Sequence, residues 1–170
     1  MKNLKKKNNK GFSLVELIVA VAIMAVLMGV LIPTLIRYVE KSKKQKDESA
    51  VEEMRYQMEL VMAGNADWSA FEGTLVFNGP TIDFANPNST ITTTGFDKYL
   101  NEVSINLGEP ESSTSASYDF TYSSKHGGTG TVTTFTFKDG KVTATIKSAN
   151  TKYGTVLLDG DGARESASAE

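Results

Sequence analysis

The side chain that most demands a chemical explanation is Glu16, the only ionisable group inside the apolar run of residues 14–32. A carboxylate placed in hydrocarbon costs roughly 2–3 kcal/mol, so it should seek a partner. Ser13-Leu14-Val15-Glu16 supplies one locally, because Ser-x-x-Glu is a capping box whose two side chains satisfy donors at a helix start. Glu16 can equally serve a charge outside its own chain, and its spacing leaves both roles open. The other chemistry-bearing residues are sparse. Cysteine is absent, which excludes a disulfide framework, a Cys-ligated zinc or iron–sulfur site and a lipid-anchoring cysteine. His126 is the only histidine, so a His–Cys pair and a multi-His metal site are excluded as well. In Lys125-His126-Gly127-Gly128 it reads as an exposed turn residue. The Ser-rich segment 112–117 contains no nucleophile motif and reads as an exposed loop. Asp159-Gly160-Asp161-Gly162 loosely resembles a calcium loop but lacks the full ligand spacing. Asn88-Ser89-Thr90 fits a glycosylation sequon. Neither a catalytic constellation nor a cofactor is expected from this inventory.

Glu16 is positioned by the longest apolar stretch in the chain. Residues 14–32 match the roughly 20 residues that a helix needs to cross about 30 Å of hydrocarbon. An ordinary secretory signal has an apolar stretch of only about 7–15 residues before its cleavage site. Here Ala20-Val21-Ala22 has the small-residue pattern, but apolar sequence continues for some ten residues more. Charge does not orient the span: Lys2, Lys5, Lys6, Lys7 and Lys10 precede it, while Arg37, Lys41, Lys43, Lys44 and Lys46 follow. Gly29 and Pro33 lie near its end, and proline removes a backbone donor and crowds the preceding turn, so a kink is expected at Pro33. From Arg37 the chain stays helical but becomes polar. Val51, Met54, Met58 and Val61 then form one apolar stripe, with Gly64-Asn65 as a stop. A helix over 13–63 would measure about 75 Å, the first half projecting and the second lying on a globular head.

Beyond Gly64 the pattern changes to period two. Thr74–Phe77 is a strand candidate ended by Asn78-Gly79-Pro80, a helical turn falls at Phe96–Leu100, and Tyr118, Phe120 and Tyr122 alternate as in a half-buried strand. Residues 131–138 and 141–148 flank Asp139-Gly140, a strong hairpin signal. Pairing across that turn sets Phe137 opposite Val142 and Phe135 opposite Ala144, all on one face. A further strand is expected over Tyr153–Leu158. The fold class is therefore α+β: a long N-terminal helix, membrane-spanning in its first half, whose second half packs on a small antiparallel sheet.

The segment Lys10-Gly11-Phe12-Ser13-Leu14-Val15-Glu16 resembles the class III signal of type IV prepilins and pseudopilins: a short basic leader, a Gly, then Phe-Ser-Leu-x-Glu opening an apolar helix. The resemblance covers residues 1 to about 40 tightly and the remainder only in architecture. It implies cleavage by a prepilin peptidase between Gly11 and Phe12, N-methylation of Phe12, and pairing of Glu16 with the amino terminus of a neighbouring subunit during assembly. The physical chemistry agrees, since Gly11 lets extended backbone enter a cleft closely and cleavage would remove five lysines from an end destined for burial. The resemblance also implies that the stretch around Pro33 opens within a filament. The chain then divides into a leader (1–11), a transmembrane or filament-core helix (12–36), its amphipathic continuation (37–64) and a β-sheet head (65–170). The implied partners are the chain itself as a polymer, the prepilin peptidase, the pilus assembly machinery and, before assembly, the cytoplasmic membrane, with the cell-surface pilus as destination. The missing C-terminal disulfide loop departs from pilins of Gram-negative bacteria and points to a Gram-positive, clostridial source.

Three function classes follow. The first is a pilus subunit, with a pseudopilin of a type II secretion or competence system as its variant. The second is a membrane-anchored adhesin or DNA-uptake receptor that does not polymerise. The chain without residues 1–11 holds 13 basic and 20 acidic residues, net −7, which argues against nucleic acid as a partner because phosphate binding needs clustered Lys and Arg. The third is a surface-anchored enzyme, for which the residues offer no constellation.

Overall fold

The apolar run and the polar stretch after it join into one helix, α1 (Leu14–Ala63). This computed structural model describes residues 12–110, 114–150, 153–161 and 163–166, and of Glu165 and Ser166 the backbone alone. The chain divides into two compact units, Met1–Val39 and Glu40–Glu170. The described part of the first unit is helical from Leu14 onward. Pro33 is inside it, and the helix remains continuous through that position.

In the second unit α1 ends where Gly64 donates its N–H to the carbonyls of Leu60 and Val61, both at 3.2 Å. The stripe expected from spacing is buried: Val51, Met54, Met58 and Val61, joined by Met62. It shares one core with the inner faces of the strands. In chain order these are β1 (Gly73–Asn78), β2 (Thr81–Asp83), β3 (Asn88–Ser89), β4 (Asp119–Thr121), β5 (Val132–Lys138), β6 (Lys141–Lys147), β7 (Thr155–Leu158) and β8 (Ala163–Ser166). Six form an antiparallel sheet in the order β3-β1-β5-β6-β7-β8, and β2 pairs separately with β4. The architecture is the α+β arrangement read from sequence, consistent with a pilin fold.

The β5–β6 hairpin has the expected register, Phe137 opposite Val142 and Phe135 opposite Ala144. Its turn places Asp139 at φ 53° and Gly140 at φ 72°, the left-handed pair that a two-residue hairpin with correct twist requires. Two expectations need enlarging. The helical turn at Phe96–Leu100 is the start of an 11-residue helix, α2 (Phe96–Asn106), which lengthens because Phe96, Tyr99, Leu100 and Val103 all bury on one side. The strand around Phe120 does not join the main sheet and instead forms the β2–β4 ladder.

An aromatic cluster closes the core. Tyr99 packs edge-on to Phe71, Trp68 and Phe137, with ring centroids 5.3, 5.6 and 5.9 Å apart. Its hydroxyl donates to the Met58 carbonyl at 2.6 Å. Burial, with Glu59 adding to it, pushes this phenol well above its ordinary range, so it stays a neutral donor tying α2 to α1.

Phe135 is fully buried in this core, whereas Thr136 faces outward and is partly exposed. Phe135→Ala should lower the unfolding free energy of the detergent-solubilised full chain by about 3–5 kcal/mol in a denaturant titration. Thr136→Ala should cost less than about 1 kcal/mol.

Candidate assembly site

The N-terminal end of α1 begins with a half-made capping box. The Ser13 backbone N–H donates to Glu16 Oε2 at 2.8 Å, and the Leu17 N–H donates to the Ser13 carbonyl at 3.2 Å. Glu16 thus satisfies one of the orphan donors that every helix start exposes, where a negative charge also meets the positive end of the helix dipole. This bond uses one carboxylate oxygen and leaves the local role compatible with a second, intermolecular one. Phe12 precedes the cap and is 92% exposed. Gly11 lies outside the described residues.

From Phe12 to Ile36 every large hydrophobic side chain is at least 50% exposed. The helix contains a window of mean hydropathy 2.8, long and apolar enough to cross a membrane. Continuous apolar surface on this scale is far beyond what a soluble monomer shows to water, so it marks contact with lipid or with other helices. Pro33 has no N–H to offer the Gly29 carbonyl. One residue on, the Thr34 hydroxyl donates to the Val30 carbonyl at 3.1 Å, an extra local bond of the kind that accompanies helix bending.

The second unit carries polar contacts that spacing along the sequence does not reveal. Asp47 is buried on α1 and accepts from the Ser123 N–H (3.0 Å), the Ser123 hydroxyl (2.9 Å) and the Ser124 N–H (2.8 Å). Two turns earlier, Glu40 accepts from the Lys125 N–H at 2.5 Å. Two carboxylates of one helix face therefore hold three consecutive backbone donors, entering the short 3-10 turn Lys125–Gly127. Unpaired, each of those donors would be costly to bury.

That clamp corrects the reading of His126. It is not an exposed turn residue but is fully buried, because the loop is drawn onto α1 and its ring packs against Tyr153 at 5.5 Å. Its carbonyl accepts from the hydroxyls of Thr131 (2.9 Å) and Ser148 (2.8 Å). The approach needs glycine next door, since a Cβ on Gly127 would fall 1.9 Å from that of Tyr122. Burial raises the Tyr122 phenol above its ordinary range, and its hydroxyl shares a 2.6 Å hydrogen bond with Thr133.

Arg55 is the other hub. Its guanidinium donates to Glu52 (2.8 Å), Glu59 (2.5 Å) and the Val142 carbonyl (3.1 Å), joining α1 to β6. Burial alone would lower its pKa, but the two glutamates hold it above its ordinary value. Neither Asp47 nor Arg55 breaks a sequence pattern, so only their non-local partners expose their roles.

The remaining motif residues sit apart from these contacts. Asp159 and Asp161 both face Arg164, at 3.5 and 2.8 Å. Asn88 is exposed on the edge strand β3. Residues 111–113 of the Ser-rich stretch lie outside the described residues.

Among known proteins, the family model described as the prokaryotic N-terminal methylation motif matches residues 6–32. No curated protein and no solved structure matches the chain.

Asp47→Ala should destabilise the full chain by about 1–3 kcal/mol through the unpaired donors it leaves. The Ser123–Gly127 amides of this variant should gain hydrogen exchange before the β5–β6 amides do. Protection of that loop equal to the unaltered chain's would remove the clamp from the account.

Proposed function

Starting from a chain that carries the class III signal of type IV prepilins, we propose that it is a structural subunit of a type IV pilus, held in the membrane and then polymerised through α1. The observation that carries this reading is the junction of motif and span. Lys10-Gly11-Phe12-Ser13-Leu14-Val15-Glu16 leads directly into a helix whose large apolar side chains, from Phe12 to Ile36, are each at least half exposed among the described residues.

In this reading, prepilin peptidase hydrolyses the Gly11–Phe12 bond, releasing residues 1–11 with their five lysines and freeing the Phe12 amine, which is then N-methylated. Residues 12–36 span the bilayer and later form the filament core, 37–64 continue the helix and 65–170 form the sheet-bearing head. The protein is structural rather than catalytic. Glu16 keeps its bond to the Ser13 N–H and turns its remaining acceptor capacity to the Phe12 ammonium of a neighbouring subunit. Within an apolar bundle such a pair is weak as net stabilisation and strong as a selector of register, because any other stagger leaves a charge unpaired. Pro33 is the place where the helix bends, since the Gly29 carbonyl lacks its usual donor there.

Two sets of variants test the reading in cells that produce the assembly machinery. Gly11→Val should leave the chain at its full length, and an immunoblot of the membrane fraction would show the unprocessed band with no polymer in the sheared surface fraction. Normal processing of that variant would contradict cleavage at Gly11. Glu16→Gln keeps an acceptor for Ser13 but loses the charge, and should be processed normally while the sheared polymer falls at least about tenfold, the equivalent of about 1.4 kcal/mol. If Glu16→Gln polymerises like the unaltered chain and only Glu16→Ala fails, capping is the whole role of Glu16.

A further inference from the structure

We propose that the groove between the end of α1 and the exposed flank of α2 binds a neutral saccharide. The proposal concerns the second unit alone and does not depend on polymerisation.

The groove has a volume of about 370 Å³, within the size range of small-molecule sites. Leu60, 49% exposed, and the partly exposed Trp68 supply its apolar lining. Trp68 is the only tryptophan of the chain. It follows the stop of α1, where its backbone N–H donates to the Asn65 carbonyl at 3.0 Å. Its ring packs edge-on to Tyr99, which is itself tied to the Met58 carbonyl. The indole is therefore held in place before any ligand arrives, and that lowers the ordering cost of binding.

The polar lining comes from both elements. Lys98, Glu102 and Asn106 recur at every fourth residue of α2 and so share one flank of it. All three are exposed, and none makes a side-chain hydrogen bond or ion pair among the described residues. Lys98 and Glu102 stand in the less favourable order for a helical ion pair, lysine first. From the end of α1, Asn65 uses its side-chain oxygen on the Asp67 N–H at 3.0 Å and keeps its amide hydrogens to donate.

This inventory selects a class of ligand. An anion such as phosphate calls for clustered bases, and an amine calls for clustered acids, whereas here one lysine balances one glutamate. An extended peptide binds by adding to a sheet edge, and an amphipathic helix needs a long apolar trough. The groove lies between two helices and a turn, and has only two large apolar side chains. A sugar ring has an apolar C–H face for the indole and a rim of hydroxyls that both donate and accept. Glu102 and Asn106 accept from such hydroxyls, and Lys98, Asn65 and Asn106 donate to them.

Because Trp68 is the only indole, its fluorescence reports on the groove directly. The full chain is titrated in lauryldimethylamine oxide, a detergent without a sugar headgroup. At least one of maltotriose, cellotriose, chitotriose, mannotriose and lactose should change the emission saturably at millimolar concentration or below. Inorganic phosphate and spermidine, at equal concentration, should leave it unchanged. Glu102→Ala should weaken the sugar response about tenfold, the loss of a hydrogen bond to a charged acceptor. Glu102→Gln, which keeps an acceptor oxygen, should weaken it less. Both side chains being exposed and unpaired, Glu102→Ala with Asn106→Ala should melt like the unaltered chain and still give sheared polymer.

No saturable change with any of these sugars overturns the proposal, as does saturation by phosphate or spermidine alone. A sugar response that the double variant leaves unaltered overturns it too. If that variant keeps the sugar response and loses sheared polymer, the groove belongs to a contact between copies instead.

Discussion

A helix that turns more than twenty consecutive positions of apolar surface outward has no stable existence in water, and every other feature of the chain is arranged around that fact. Burying such a surface requires hydrocarbon or similar helices, and the two environments make different demands. Lipid accepts any rotation of the helix about its axis, whereas a bundle of like helices accepts only some. Glu16 is tolerable in both because it begins the helix, where Ser13 gives it a donor and the dipole favours its charge. It is costly enough away from a partner to discriminate between arrangements.

The second unit solves a separate problem: how to hold a polar helix segment against a small sheet without disulfides. Apolar packing from Val51 to Met62 supplies the bulk of it, and three side chains lock the result. Asp47 and Glu40 bind the backbone of the 123–125 loop, and Arg55 binds β6 through the Val142 carbonyl. These are bonds from charged side chains to backbone groups, stronger than neutral ones and directional. They fix α1 against a loop and a strand far away in sequence, 76 to 87 residues from their partners. A chain that lacks cysteine thus relies on charged capping where a cross-link is another solution.

Features governed by local chemistry are legible in the amino-acid sequence alone. The Asp139-Gly140 turn determines its own hairpin, and the Met stripe at spacings of three and four determines which side of α1 is buried. The span follows from hydrophobic length. What sequence reasoning misses is non-local or too short to carry a pattern. Strands β2 and β3 have three and two residues, and β8, Ala-Arg-Glu-Ser, has no apolar alternation. His126 reads as exposed because glycines follow it, yet Gly127 is what allows the loop to close on Tyr122 and α1. Asp47 and Arg55 resemble ordinary residues of a solvated helix, and only their partners across the fold distinguish them. The proposed assembly end can be read from sequence for the opposite reason: Gly11, Phe12, Ser13 and Glu16 would act through adjacent positions, so a short motif states their chemistry.

The central claim is that this chain loses residues 1–11 and enters a polymer with Phe12 at its new terminus. Intact-mass and peptide mass spectrometry of material sheared from the cell surface tests it most directly. The account predicts a chain that starts at Phe12, carries one added methyl group on its terminal amine and is recovered in filaments. A sheared chain that still begins at Met1, or one that begins near residue 23 after the Ala20-Val21-Ala22 stretch, would contradict it.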